Sequence, residues 1–336
     1  MRTDEFEDLL REALDHQAAQ APGGARVLAA LAPRTRRRRW WMPVGGVVTA
    51  GLVGIAMVSA SESYEQAAPG TSLQVSPPAE PGNVYWEPTW LPSGMVEQER
   101  SYAVDDTWVG SIWASGPGTA APWVHVISVV PGPGQPTGPD PGHEQVLVNG
   151  RPGEWTVSSD PRHEVHTLTW WAGSRRFDLL GSSLPDPKPA LLRIAESLRP
   201  TAVEPTAVPF TFAAVPGARV DWSGISGDRP DRAVMITNLG FADVGVARIE
   251  VRPDQPVLEG ARVPVRGGEG WFRMTPLGLD EPSGVLVADL DGRWLVVSFL
   301  PTAKKDPVEQ LDLLTTVANS VTVGPTPAAP WLGRRP

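Results

Sequence analysis

The residues best equipped for chemistry are few and scattered. His163-Glu164-Val165-His166 sets two imidazoles three positions apart around a carboxylate, and His125 and His143 lie upstream. On a helix, side chains at that spacing share a face and can chelate a metal. This stretch instead runs into "LTWW" and reads as a strand, where residues three apart point to opposite faces. No metal site is expected. Asp289-x-Asp291-Gly292 has the opening of a calcium loop without its distal Glu, and it fits a turn. The acidic pairs Asp105-Asp106 and Asp280-Glu281 sit among turn residues. There is no Gly-x-Ser-x-Gly elbow, phosphate loop or dinucleotide fingerprint. The chain has no cysteine, which removes thiolate nucleophiles, disulfides and Cys-ligated zinc. Neither catalysis nor a cofactor is expected.

Tryptophan is the remaining chemical signal, with 14 in 336 residues. Trp155, Trp170, Trp171, Trp271 and Trp294 fall in a repeated pattern described below and are expected in the core. Trp108, Trp113 and Trp123 stand on alternating strands without counterparts in the second repeat. They are the candidate outer binding aromatics, for a peptide, a glycan or a lipid chain; the competing reading is a Trp-rich small core.

The elements that must position these residues begin with an amino-terminal helix, "TDEFEDLLREALDHQA". Thr3 can cap it, acidic residues favour its first turn, and Phe6, Leu9, Leu10 and Leu14 share one face. A helix this short is marginal alone, so that face needs cover, either from nearby chain or from a cytosolic partner. Next comes "RTRRRRWW", in which Arg34, Arg36, Arg37, Arg38 and Arg39 precede Trp40 and Trp41. The run from Trp40 to Ala60 carries no charge, and about 20 apolar residues are needed to cross a bilayer. Arginines bias their end toward the cytoplasm, and tryptophans suit the headgroup layer. A transmembrane helix over 40–60 is therefore expected, with the amino terminus inside. Gly46, Ala50 and Gly54 recur every four residues and are candidates for helix packing. Cleavage after Ala60 is the alternative. Residues 1–39 hold eight basic and six acidic side chains, whereas residues 61–336 hold 21 and 32. The acidic outer part argues against a nucleic-acid partner.

Outside that segment the chain repeats itself. "VLVNGRPGEWTV" (146–157) answers to "VPVRGGEGWFRM" (263–274), "LTWWAGSRRFDLLG" to "LVADLDGRWLVVS", and "LLRIAESL" to "LLTTVANSV". The offsets are 117 for Gly150 to Gly267, 116 for Trp155 to Trp271 and 123 for Ala195 to Ala318. Apolar β-branched runs such as "WVHVISVV" and "GVARIEVRP" read as strands, and "DLDGRW" and "WAGSRRF" as hairpins. "PKPALLRIAESL" and "DPVEQLDLLTTVANSV" close each repeat as helices, Pro307 sitting where a first turn accepts proline. Proline (37) and glycine (34) exceed the usual background of roughly 12%, and they concentrate at 67–82, 131–142, 200–209 and after Gly324.

The order "WLPSGM", strand pair, "VNGRPGEW", "LTWWAGSRRFDLLG", "LLRIAESL" resembles an extracytoplasmic domain of unknown function. That domain is found at the outer end of bacterial single-pass transmembrane anti-sigma factors and related anchored proteins. The resemblance is best over 85–200 and weaker over 207–324, and it rests on Pro, Gly and Trp patterns. The amino-terminal layout is similar to that of such proteins too. Many of them carry a His-x3-Cys-x2-Cys zinc motif, which this cysteine-free chain lacks. The resemblance implies a sigma factor as partner for Phe6, Leu9, Leu10 and Leu14.

Together these readings predict an α+β protein: one transmembrane helix followed by two similar extracytoplasmic units, each an antiparallel sheet with a C-terminal helix. The expected divisions are a cytosolic segment (1–39), the span (40–60), a Pro/Gly-rich stalk (61–84), unit 1 (85–200), a linker (201–206), unit 2 (207–324) and a disordered tail (325–336). The expected function is membrane-anchored extracytoplasmic binding or sensing, with an anti-sigma-like regulator as its sharpest form. An envelope scaffold without a cytosolic partner, or a secreted protein, is the alternative.

Overall fold

The structure is a computed structural model that describes residues 73–74, 84–105, 107–116, 121–132, 138–158, 164–201, 205–213, 215–242, 244–275, 282–302 and 305–336. Its first half comprises strands β1 (Leu73–Gln74), β2 (Trp86–Pro88), β3 (Val96–Ala103), β4 (Trp108–Ala114), β5 (Trp123–Val129), β6 (Glu144–Val148), β7 (Arg151–Val157), β8 (His166–Ala172) and β9 (Arg175–Ser182), then helix α1 (Pro187–Ser197) and β10 (Leu198–Pro200). The second half comprises β11 (Phe210–Phe212), β12 (Ala218–Ser226), β13 (Val234–Phe241), β14 (Gly245–Arg252), β15 (Ala261–Val265), β16 (Gly268–Thr275), β17 (Ser283–Leu290), β18 (Arg293–Pro301), helix α2 (Pro307–Ser320) and β19 (Val321–Val323).

Fourteen of these strands form one antiparallel sheet, ordered β15-β16-β17-β18-β14-β13-β12-β3-β4-β5-β9-β8-β7-β6. The expected α+β class is therefore corrected. The described chain is mainly β, its two α-helices are short, and one sheet runs through both halves without interruption. The helix expected over 40–60 lies outside the described residues, as do the stretches holding Arg34 to Trp41, Gly46, Ala50 and Gly54, and Phe6 to Leu14. Among the described residues no helix is long and apolar enough to cross a membrane, and the transmembrane, single-pass assignment is set aside.

The internal repeat is visible in the topology. Outward from the centre the sheet reads β3-β4-β5-β9-β8-β7-β6 on one side and β12-β13-β14-β18-β17-β16-β15 on the other, the same order twice. The halves join through β3 and β12, with Ser101 opposite Gly224. These two residues are 123 positions apart, the same offset that separates Ala195 in α1 from Ala318 in α2. The join thus has local two-fold symmetry: Trp222 faces Ala103 on one side of the centre, and Ser226 faces Glu99 on the other.

Strand alternation gives this sheet two different faces. One row runs straight across it: Phe272, Leu286, Val297, Ile249, Thr237, Ser223, Tyr102, Val109, Ser128, Phe177 and Trp170, each paired with the next. Every member is buried. The polar members are satisfied locally: Ser223 Oγ donates to Thr237 Oγ1 at 2.7 Å, which donates to Trp222 O at 3.0 Å.

Both helices cover this face. In α1, Leu191, Ile194 and Ala195 pack into a cluster with Trp113, Val126, Leu168, Trp170 and Leu179. In α2, Asp306 accepts from Val308 N at 2.7 Å as the N-cap. Buried Gln310 accepts from Gly284 N at 2.7 Å and ties the helix to β17. Leu311, Leu314, Val317 and Ala318 form its buried face, and Val308 in the first turn is exposed.

The tail after Gly324 was expected to be disordered, yet it packs. Ala329, Trp331 and Leu332 are buried, and Glu97 in β3 exchanges backbone hydrogen bonds with the tail: its N–H donates to Arg334 O and its carbonyl accepts from Gly333 N, both at 2.9 Å.

Candidate functional site

The helix-free face of the second half is where side-chain chemistry meets solvent. In β13, β14 and β18 the residues of the helix side (Met235, Thr237, Leu239; Ala247, Ile249, Val251; Leu295, Val297, Phe299) are all buried. Most of the intervening residues are only half-buried. A half-wetted sheet face with one dry side is the normal pattern for an antiparallel sheet. What these residues are is the informative part.

A first row on this face is Trp222, Asn238, Arg248, Ser298, Val285 and Arg273. A second, two residues along each strand, is Ile236, Glu250, Val296, Val287 and Trp271. A third holds Arg252, Trp294 and Asp289. Three half-buried tryptophans thus share one face with five ionic side chains. Arg248 donates from Nε to Glu250 Oε1 at 2.8 Å, and its guanidinium carbon lies 5.6 Å from the Trp222 ring centre. Trp271 and Trp294 meet at 6.3 Å between ring centres, tilted by 55°. Asn238 Oδ1, Arg252 Nε and Arg273 Nε have no hydrogen-bond partner. The strip continues across the central join, because Ala103 is small enough for Trp108 and Trp222 to approach to 6.4 Å over it.

Buried acids flank the strip. Burial pushes the Glu99 carboxyl upward, and Arg248 pulls it back down. Asp178, on the same face in β9, is likewise raised by burial against Arg176 and Thr169. On the helix side, Arg100 is held by Glu97 through two hydrogen bonds of 2.7 and 2.9 Å and by Glu87 at 2.5 Å. Its guanidinium lies between the rings of Tyr85 and Trp331, at 5.0 and 4.9 Å. Burial alone would pull this guanidinium down, and the carboxylates raise it. This node clamps the central strand to the tail, with Arg100 and Glu97 buried inside it.

The sequence candidates fall in several places. Trp113 and Trp123 are buried in the first half and belong to its core; only Trp108 remains half-buried. His163 lies outside the described residues, and the described histidines do not converge. His125 is buried, His143 Nδ1 lies 3.2 Å from Glu154 Oε2, and His166 stacks on Trp155 at 5.4 Å. Among the described residues no group of three or more His, Asp or Glu could hold a metal ion. Asp289 accepts from Gly292 N at 3.3 Å within a turn.

Trp271 and Trp294 were expected in the core and instead stand on the open face. For Trp271 the cause is a one-residue slip in matching the repeats; Trp294 stands in register with Arg252 and Asp289 on the half-wetted face. Counted from the hairpin glycines Gly150 and Gly267, Trp155 corresponds to Phe272, and both are buried on the helix side. Trp271 corresponds to Glu154. A shift of one along a strand moves a side chain to the other face, so the turn glycines were the signal that would have placed it.

No protein family matches the chain, and no curated protein does. Among solved structures, the crystal structure of MucB in complex with MucA(peri) aligns over 69% of this chain and 94% of that one, at 13% identity and a TM-score of 0.22. A similarity that loose assigns neither fold nor function.

Proposed function

We propose that this chain is a non-catalytic binding protein that receives a protein partner on the helix-free face of the second half of its sheet. The observation that carries this reading is the strip of Trp222, Trp271 and Trp294 interleaved with Arg248, Glu250, Arg252 and Arg273. Tryptophan and arginine dominate the energetics of protein interfaces, because each combines a large contact area with a polar handle. Charges of both signs among the rings fit a protein surface better than a lipid chain. In-cell photo-crosslinking tests this: a photoreactive residue at Trp294 or Trp271 should give one discrete adduct, and the same residue at exposed Val130 should give none. Equal labelling from all three positions sinks the proposal.

The resemblance read in the sequence favours a second, narrower reading: an anti-sigma-like regulator whose residues 1–39 hold a sigma factor through Phe6, Leu9, Leu10 and Leu14. A pull-down with the full chain against a variant carrying Leu9, Leu10 and Leu14 as Asp tests it. A sigma factor retained by the wild type alone supports the regulator. Identical captures leave an envelope scaffold that works through its sheet face.

A further inference from the structure

The two ends of the sheet differ at one position that controls strand pairing. β6 and β15 are the terminal strands and are equivalent in the repeat. Each turns into its neighbour through two residues of positive φ, Asn149 (49°) and Gly150 (75°) in one half, Arg266 (54°) and Gly267 (75°) in the other. Such a turn makes its flanking residues a hydrogen-bonded pair, here Val148 with Arg151 and Val265 with Gly268. Pairs alternate from there. Val146–Gly153 is bonded and Leu147–Pro152 is not; Val263–Gly270 is bonded and Pro264–Glu269 is not. The backbone groups of Gln145 and Leu147 therefore point away from β7, toward the open edge. Pro264 stands two residues before its turn, as Leu147 does, and proline has no N–H to present there. One end of the sheet is stopped by Pro264. The other presents Leu147, which is 66% exposed, on an edge with no paired strand among the described residues.

We propose that β6 is a dimerisation edge, pairing antiparallel with β6 of a second copy about a two-fold axis at Val146. Centring on Val146 sets Gln145 opposite Leu147 of the second copy, so the outward N–H and C=O groups of both meet in bonded pairs. The side chains agree with that register. Glu144 faces Val148 of the second copy rather than another Glu144, so no like charges stand opposite each other. Glu144 is already ion-paired to Lys188 within its own chain. The two Leu147 side chains lie diagonally on one face and cover each other's exposed apolar surface. The geometry is isologous, one patch meeting itself, and it repeats the antiparallel join that β3 and β12 make about Ser101 and Gly224.

Because the chain has no cysteine, Val146→Cys introduces a single thiol on the axis. A non-bonded cross-strand pair brings Cβ atoms to about 4.5–5.5 Å, close to disulfide range. The experiment uses the full chain: sedimentation of the wild type, mild oxidation of V146C, and the same oxidation of V263C on the stopped edge. Expected are a wild-type mass twice 36.0 kDa and a V146C dimer forming at least about tenfold faster than a V263C dimer, as held neighbours do. Leu147→Pro, which removes an N–H its own ladder does not use, should yield a folded monomer. Leu147→Lys, which keeps that N–H and sets two cations diagonally, should weaken the dimer in the same direction. A monomeric wild type, equal oxidation of V146C and V263C, or a dimer that survives both Leu147 variants overturns the proposal.

Discussion

Ser101 and Gly224 face each other at the centre of the fourteen-stranded sheet, and the missing side chain of Gly224 is what lets β3 and β12 close. A Cβ at Gly224 would lie 2.6 Å from Arg100 O and 2.9 Å from Ser101 Cβ. The contact is with backbone and a short side chain, neither of which can swing aside. Gly224→Ala should cost about 1–3 kcal/mol, as overpacking does, and Gly224→Val more. Urea unfolding of the full chain measures it. A Gly224→Ala protein as stable as the wild type would show that the halves are not held by this pairing.

The tail supports the same central strand from the helix side. Trp331 covers one side of the Arg100 guanidinium and Tyr85 the other. Trp331→Ala should cost about 3–5 kcal/mol as a large-to-small change in a buried site. Arg100→Met should cost about 3–5 kcal/mol, because Glu97 is left buried without its partner. The two changes act on one node, so the double variant should lose less than the sum of the single losses. Thermal or urea melts of the four proteins form the cycle, and strict additivity would show that Trp331 and Arg100 do not act together.

His125 gives the fold an acid-sensitive point. Its ring stands between Ile112 and Leu180 in the row across the first half, and neither ring nitrogen has a hydrogen-bond partner. Gly110 makes the space, since a Cβ there would meet His125 Nε2 at 2.8 Å. Burial pulls the imidazole down to about 4, whereas in the unfolded chain it protonates near 6.5. Between those values the unfolded state binds more protons. Stability is therefore complete above about pH 6.5 and is lost as the pH falls toward 4, by up to about 3 kcal/mol from this group. Measured as urea midpoints against pH, the wild type should fall relative to His125→Leu as the pH drops from about 6.5 toward 4. Parallel curves would rule out His125 as the origin.

How much of this was legible beforehand depended on the range of the interaction. The hairpins around Gly173 and Gly292 are local, and their glycines marked them correctly. The two closing helices were marked by Pro307 and by apolar spacing. Pairing of β3 with β12 joins residues more than a hundred positions apart, and neither strand's composition names its neighbour. Two separate α+β units were the natural reading, and one continuous β-sheet is what forms. The proposed binding face was hidden for a finer reason. Matching Trp155 to Trp271 by residue type is wrong by one position, and one position decides between core and solvent. The tail was misread on composition, because Pro and Gly flank a Trp331 that has a cation to cover.

Glu99 ties the central join to the proposed binding face. Burial raises its carboxyl, with Arg248 and a hydrogen bond from Ser101 opposing. The folded state therefore holds this proton at a higher pH than the unfolded chain, which releases it near 4.3. Stability contributed here is present at low pH and is lost as the pH rises from that value through the raised folded one. Glu99→Gln keeps the shape and removes the buried charge, so it should be more stable than the wild type near neutral pH and equal to it in acid. Arg248 retains Glu250 at 2.8 Å, so the strip stays formed and photo-crosslinking from Trp294 should be unchanged. Urea unfolding of both proteins at neutral and acid pH decides it. A variant less stable than the wild type at neutral pH would mean that the Glu99–Arg248 attraction outweighs the burial of the carboxylate.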